Sequence, residues 1–261
     1  FALAELLGLT DVRFLDRMDG TLVKLATFVP ESHFEAVRAA LAEAGAGRIG
    51  DYSACAFATR GTGFFRPGEE SDPFSGERGE LERAEELRLE AEVARWDLSR
   101  VLEALREAHP YEEVAYDLYP LEQPNTRAGL GAVGEVPEAV PLRALLERVA
   151  DRLDAASLRY CGDPEAEVRR VAVCGGAGAS LLGKARAAGA DAFVTADVTY
   201  HTFFQPLGLD GAPQMALIDA GHYETEWVTE RLLVDWIAER FPGVDAQRTR
   251  HRTSPMRTFR R

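Results

Sequence analysis

Val168-Arg-Arg-Val-Ala-Val-Cys174 runs into Gly175-Gly-Ala-Gly178, and then into Ser180-Leu-Leu-Gly-Lys-Ala-Arg-Ala-Ala188 and Ala192-Phe-Val-Thr195. The first stretch is a near-continuous apolar strand, the glycines a turn, the third stretch a helix and the fourth a buried strand. Working outward, Met215 to Ile218 reads as another buried strand and Leu142 to Leu153 has helical spacing. Thr225 to Arg240 reads as a long amphipathic helix with Val228, Leu232, Leu233, Trp236 and Ile237 inward. Strands alternating with helices predict an α/β domain around a largely parallel sheet.

A different regime precedes it. Between Thr21 and Leu121 two segments echo each other, each a strand, an amphipathic helix and a returning strand. In the first, Leu22 to Val29 alternates, Pro30-Glu-Ser32 opens a helix with Phe34, Val37, Ala40 and Leu41 on its apolar face, and Asp51 to Phe57 returns. In the second, Leu87 to Val93 alternates, Asp97-Leu-Ser99 starts a helix lined by Val101, Leu102 and Leu105, and Val114 to Tyr119 returns. Two such units predict a four-stranded antiparallel sheet with both helices on one face, a ferredoxin-like α+β domain. The glycine- and proline-rich stretch from Arg60 to Leu81 reads as an exposed loop with a short hairpin, and Gln123-Pro-Asn-Thr126 marks the boundary with the α/β region.

The chain has 261 residues, enough for one large or two ordinary domains. Thirty Lys and Arg against 43 Asp and Glu leave a net charge of −13, which argues against nucleic acid as a partner. No apolar run is long enough for a membrane span, so no membrane is expected. Three widely spaced cysteines, Cys55, Cys161 and Cys174, fit neither a disulfide framework nor a metal knuckle, and a reducing cytoplasm is the expected home. The opening Phe1-Ala-Leu-Ala-Glu-Leu-Leu-Gly8 has no initiator Met and reads as the tail of a helix stopped by glycine, so a preceding folded segment is expected.

Chemistry concentrates where strands run out. In Ile218-Asp-Ala-Gly-His222-Tyr-Glu-Thr-Glu226, a buried strand passes through a glycine into a helix. His222 and Glu226, four apart, stack on one helix face if the helix begins near His222. An imidazole and a carboxylate there suit zinc, manganese or iron; a first-turn carboxylate favoured by the helix dipole beside a surface histidine explains the same spacing. Asp197 and His201, in Val194-Thr-Ala-Asp-Val-Thr-Tyr-His201, leave another buried strand at its carboxyl end. They are candidates for ligating metal, orienting a ligand or moving protons; a helix N-cap with a surface histidine is the plainer reading. Gly175, Gly176 and Gly178 are candidates for cradling an anionic group on bare backbone N–H groups, or simply a tight turn needing positive φ. Gly129-Leu-Gly-Ala-Val-Gly134 matches the dinucleotide fingerprint but lacks a preceding strand and is read as a loop. His109-Pro-Tyr-Glu112 reads as a structural turn, and the arginine-rich stretch from Arg248 as a frayed solvated tail.

Cys174-Gly-Gly-Ala-Gly-Ala-Ser180, Gly189-Ala-Asp-Ala-Phe-Val-Thr-Ala-Asp197, Tyr200-His201 and Ala216-Leu-Ile-Asp-Ala-Gly-His-Tyr-Glu-Thr-Glu226 together resemble the GTP cyclohydrolase I type 2 homologs. These are dinuclear-metal proteins related to the yeast NGG-interacting factor. Residues 21 to 121 resemble the domain inserted in their longer bacterial members, which is similar to CutA and PII-like proteins; His109-Pro-Tyr-Glu112 echoes the former. The resemblance implies a discontinuous three-layer α/β metal domain: residues 1–20 as a remnant of its first half, 21–122 as the insertion, 123–247 as its second half and 248–261 as a basic tail. It implies His222 and Glu226 as ligands of a two-metal centre, with Asp197 and His201 lining the same cavity. The remaining ligands, a His-His-Pro pair and an Asp, would lie upstream of Phe1, so weak metal binding is expected of the chain as written. Arg252-Thr-Ser-Pro255 stands where the family has an Asn/Asp-Thr-Asp/Asn-Pro element.

Two functions follow as expectations. One is a metal-dependent hydrolase activating water against a nucleotide-like or heterocyclic substrate. The other is a non-enzymatic metal-binding regulator or scaffold that senses a small ligand through its insertion. Self-association as a trimer or hexamer is implied by the resemblance.

Overall fold

Alternation along each strand decides which side chains reach which core. The computed structural model describes residues 1–257. In chain order its elements are α1 (Ala2–Leu6), β1 (Thr10–Met18), β2 (Leu22–Pro30), α2 (Phe34–Glu43), β3 (Phe57–Phe65), β4 (Glu82–Ala94), α3 (Leu98–Ala108), β5 (Tyr116–Pro120) and β6 (Asn125–Pro141). There follow α4 (Leu142–Leu153), β7 (Arg159–Cys161), β8 (Glu167–Val173), α5 (Leu182–Ala187), β9 (Ala192–Thr195), β10 (Ala216–Asp219), α6 (His222–Glu226) and α7 (Val228–Arg240). The chain divides into two units, Phe1–Asp16 with Gly129 onward, and Arg17–Ala128.

The first unit holds a six-stranded sheet in the order β1-β6-β8-β9-β10-β7. Val171 and Val173, Ala192 and Val194, and Ala216 and Ile218 face one core with Leu3 of α1, Leu7 just after it, and Leu142, Leu145 and Val149 of α4. Their neighbours Ala172, Phe193 and Leu217 face the opposite core with Leu182 and Ala185 of α5. Helices therefore cover both faces, which is why residues 171–173, 192–194 and 216–218 are apolar throughout rather than alternating with polar residues.

The sheet is mixed, not largely parallel. β8, β9 and β10 are parallel, while β6 is antiparallel to β8 and β7 antiparallel to β10. Glycine or charge interrupts the apolar pattern of the antiparallel strands, so periodicity does not reveal them. The Gly129–Gly134 segment is not a loop; it lies within β6. A Cβ on Gly129 would sit 2.6 Å from the Asp16 carbonyl oxygen, and one on Gly134 would sit 2.7 Å from that of Thr10. These glycines let neighbouring backbone approach rather than turn the chain.

The second unit is a four-stranded antiparallel sheet in the order β3-β4-β2-β5. Val23, Leu25 and Val29 of β2 and Leu89, Ala91 and Val93 of β4 pack against Val37 and Leu41 of α2 and Val101 and Leu105 of α3. Both helices thus lie over one sheet face. Asp51 to Phe57 is not the returning strand: the Cys55 N–H donates to the Gly47 carbonyl at 2.9 Å and Ala54 has φ +56°, so this stretch turns. The strand begins at Phe57 and takes up the first residues of the loop expected from Arg60 to Leu81, so that the loop itself spans 66–81.

Two further expectations are corrected. The apolar stripe of α7 is not inward, since Leu232, Leu233 and Trp236 are about half exposed. The stretch from Arg248 to Arg257 is not frayed: Arg248 stacks over Trp227 at 5.1 Å and pairs with Glu230 at 3.7 Å, while Arg252 stacks over Tyr223 at 5.1 Å and pairs with Glu224. The last four residues of the expected basic tail lie outside the described residues.

His109 ties α3 to the sheet of the second unit. It is buried, its Nε2 lies 2.9 Å from the Phe28 carbonyl oxygen, and its Nδ1 accepts the Tyr111 N–H at 3.2 Å, which fixes the neutral tautomer with its proton on Nε2. Burial pulls its pKa below the ordinary value. As pH falls below about 6.5, the unfolded chain takes up this proton before the folded one, so the contribution to stability is full above that pH and declines below it. The melting midpoint should drop between pH 7.5 and pH 5, with a smaller drop in His109→Gln. Equal drops in both proteins would contradict this assignment.

Candidate metal centre at the carboxyl ends of the parallel strands

β9 and β10 run side by side with Thr195 opposite Asp219, so the residues that leave these strands emerge together. Asp219 holds both exits. Its nearly buried carboxylate accepts the Val198 N–H at 3.1 Å and the Gly221 N–H at 3.2 Å, and it pairs with the Arg159 guanidinium. One hydrogen bond therefore fixes the backbone just after Asp197 and the other the backbone just before His222. Sequence reading missed this role, although a carboxylate closing the apolar run Ala216-Leu-Ile-Asp219 was the available signal.

Asp197 has φ +53°, a left-handed conformation that aspartate tolerates better than most residues. Gly221, at φ +93°, caps α6, and that helix begins at His222, as the four-residue spacing requires. The result is a short chain of polar atoms. His222 Nδ1 lies 2.7 Å from Asp197 Oδ2, and His222 Nε2 lies 3.2 Å from Glu226 Oε2. All three side chains are about half exposed. The hydrogen bond to Asp197 holds the imidazole pKa above its ordinary value against partial desolvation, with the Glu226 charge adding to the rise.

The glycine turn packs directly beneath. A Cβ on Gly176 (φ +63°) would lie 2.4 Å from Glu226 Oε1 and 3.2 Å from His222 Nε2. Buried threonines fasten the turn: the Gly176 N–H donates to Thr225 Oγ1 and the Gly178 N–H to Thr195 Oγ1, each at 2.9 Å. These two N–H groups are thus already engaged and are not the open donors that an anion cradle requires. Gly176 serves the site by leaving room for the imidazole and carboxylate, Gly175 packs against the Thr225 carbonyl, and Gly178 makes room for the side chains of Thr195 and Cys174.

The structure therefore brings together Asp197, His222, Glu226 and Gly176. His201 stands apart from them in hydrogen bonding. It is exposed on a 3-10 turn, edge-on to Tyr200 at 5.5 Å, and no hydrogen bond or ion pair links it to this group among the described residues. Among those residues, no group of three or more His, Cys, Asp or Glu side chains forms a ready-made metal cage.

Fold and site together define an α/β protein with a histidine–carboxylate pair at the carboxyl ends of parallel strands. The profile of the Duf34/NIF3 (NGG1p interacting factor 3) family matches residues 1–256, and the chain belongs to that family. Among its relatives are two proteins named GTP cyclohydrolase 1 type 2 homolog. One, from Halalkalibacterium halodurans, is 42% identical over 221 residues, covering 84% of this chain and 58% of the relative. The other, from Bacillus subtilis, is 41% identical over 229 residues, covering 87% and 60%. The chain thus matches less than two thirds of the length of either. A crystal structure of a Bacillus cereus protein related to NIF3 superposes with a TM-score of 0.82 at 35% identity, covering 99% of this chain and 69% of that one. No helix among the described residues is long and apolar enough to cross a membrane.

Proposed function

We propose that His222 and Glu226 supply two ligands of a divalent metal centre in a hydrolase-like protein acting on a nucleotide-like or heterocyclic substrate. The observation that carries the reading is the orientation of His222. With Nδ1 on the Asp197 carboxylate, the proton sits on Nδ1 in the neutral ring and the lone pair of Nε2 points toward Glu226, the arrangement usual for metal-ligating histidines. The 3.2 Å between Nε2 and Oε2 fits two corners of a tetrahedron whose ligands lie about 2.0–2.2 Å from zinc; manganese or iron would use the same donors. A pair of ligands is what the described residues offer, and the resemblance assigns the others, and a second ion, to a His-His-Pro pair and an Asp of a longer chain.

When bound, such ions lower the pKa of water and polarise the scissile group. Asp197 fixes the imidazole's tautomer and direction, which makes it a positioning residue rather than an acid or base. Glu226 brings negative charge to the same spot and can lie against the turn only because Gly176 has no side chain. His201, exposed on the turn that follows Asp197, is the proposed proton carrier.

We also read the second unit as a ferredoxin-like insertion and the protein as a self-associating cytoplasmic one, which light scattering on the purified protein would test for oligomer size. For the central reading, metal content after dialysis against zinc or manganese should fall in His222→Ala, and the metal-loaded protein should turn over at least one member of a nucleotide panel. Unchanged metal in His222→Ala together with no turnover would overturn it. Turnover failing while His222-dependent metal remains would favour the non-enzymatic regulator.

A further inference from the structure

The second unit contains a cavity of about 540 Å³, within the range of small-molecule sites, on the sheet face away from α2 and α3 and beneath the 66–81 loop. We propose that this cavity binds a flat organic cation, an aromatic or heteroaromatic body carrying a protonated amidine or amine. The proposal goes beyond the metal centre and uses none of its residues.

The floor is the first observation. β3 carries glycine at 61 and 63, two apart and so on one face, inside a paired strand where glycine is normally unfavourable. A Cβ on Gly63 would fall 2.2 Å from Glu86 Oε2, so the Glu86 carboxylate lies across the bare strand. A Cβ on Gly61 would meet nothing within 4 Å, although Gly61 lines the cavity. The strand is stripped of side chains at one point for a carboxylate and at the other for empty space.

The walls are the second. Tyr111 stands between Phe65 and Phe74, with ring centroids 6.0 and 5.9 Å away, and its hydroxyl donates to Glu86 Oε1 at 2.9 Å. The carboxylate is thereby fixed on one oxygen and left with acceptor capacity on the other, among aromatic faces that attract cations. The cations already present are committed: Arg60 is paired to Glu31 and Arg88 to Glu90. The lining also includes Glu112, which accepts the Asp72 N–H at 3.0 Å, and Glu113. The uncompensated charge facing the cavity is negative, so an anion of the same shape is disfavoured.

Three probes of one shape decide the matter: benzamidine, benzamide and benzoate, titrated into the whole chain and followed by amide chemical shifts. Benzamidine should shift Gly61, Gly63 and Tyr111 with a dissociation constant at least about tenfold below that of benzoate, benzamide falling between them. Glu86→Gln should erase most of the preference for benzamidine over benzamide. Gly61→Phe, which fills the open space from a strand position of ordinary φ, should abolish binding of all three while leaving the spectrum of the first unit unchanged; should that variant fail to fold, Phe74→Ala should weaken binding instead. Benzoate binding as tightly as benzamidine, or benzamidine binding undiminished in the folded Gly61→Phe variant, would overturn the proposal.

Discussion

Asp219→Ala should destabilise the first unit by about 2–4 kcal/mol and loosen the metal centre at the same time. The change strips an acceptor from two backbone N–H groups at the ends of β9 and β10 and removes the partner of Arg159. Leaving buried donors unsatisfied costs roughly 1–3 kcal/mol each, whereas Arg159, mostly exposed, regains water and adds little. Denaturant unfolding gives the stability loss, and the amide shifts of Val198 and Gly221 report the loosening. Asp219→Asn, which keeps one carbonyl acceptor, should lose about half as much. A full loss in the asparagine variant, or unchanged Val198 and Gly221 shifts in the alanine variant, would show that Asp219 does not act as the clamp described here.

Gly176→Ala should separate site from fold. Alanine at φ +63° is strained by roughly 1–2 kcal/mol, and its Cβ would lie 2.4 Å from Glu226 Oε1. That oxygen is the end of a flexible side chain, so the carboxylate swings away while the turn, fastened by Thr195 and Thr225, stays. Metal affinity should fall at least about tenfold, the scale seen when a metal ligand or its support is disturbed, with the melting transition still cooperative. Gly183→Ala is the control: its Cβ meets nothing within 4 Å and it sits within α5, so affinity should not change. Equal affinity in wild type and Gly176→Ala would place the ion away from Glu226.

How much of this was legible in the sequence follows from where the signals are local. Strands covered on both faces, such as Ala192–Thr195, announce themselves as apolar runs, and the His222–Glu226 spacing predicts a shared helix face from periodicity alone. β1 and β6 did not, because Asp11, Arg13, Asp16 and Arg17 interrupt one and glycines the other. Their strand character comes from pairing across long sequence distances. The anion-cradle reading is corrected at Gly176 and Gly178 for a related reason: the threonines that occupy their N–H groups lie 49 and 17 residues away, respectively, along the chain. The inward stripe expected on α7 is not there, since Leu232, Leu233 and Trp236 are exposed on the described surface. Asp219 lies within the motif, but a clamp that joins two loops is visible only once β9 and β10 are known to be neighbours.

In the proposed metal centre, His222 Nε2 and the Glu226 carboxylate grip one ion. Anomalous diffraction at the zinc edge from zinc-soaked crystals of this chain tests it most directly. The expected result is a peak about 2.0–2.2 Å from both Nε2 and a Glu226 oxygen, with Nδ1 still bonded to Asp197. Zinc bound elsewhere while His222 keeps its contact with Glu226 would contradict it.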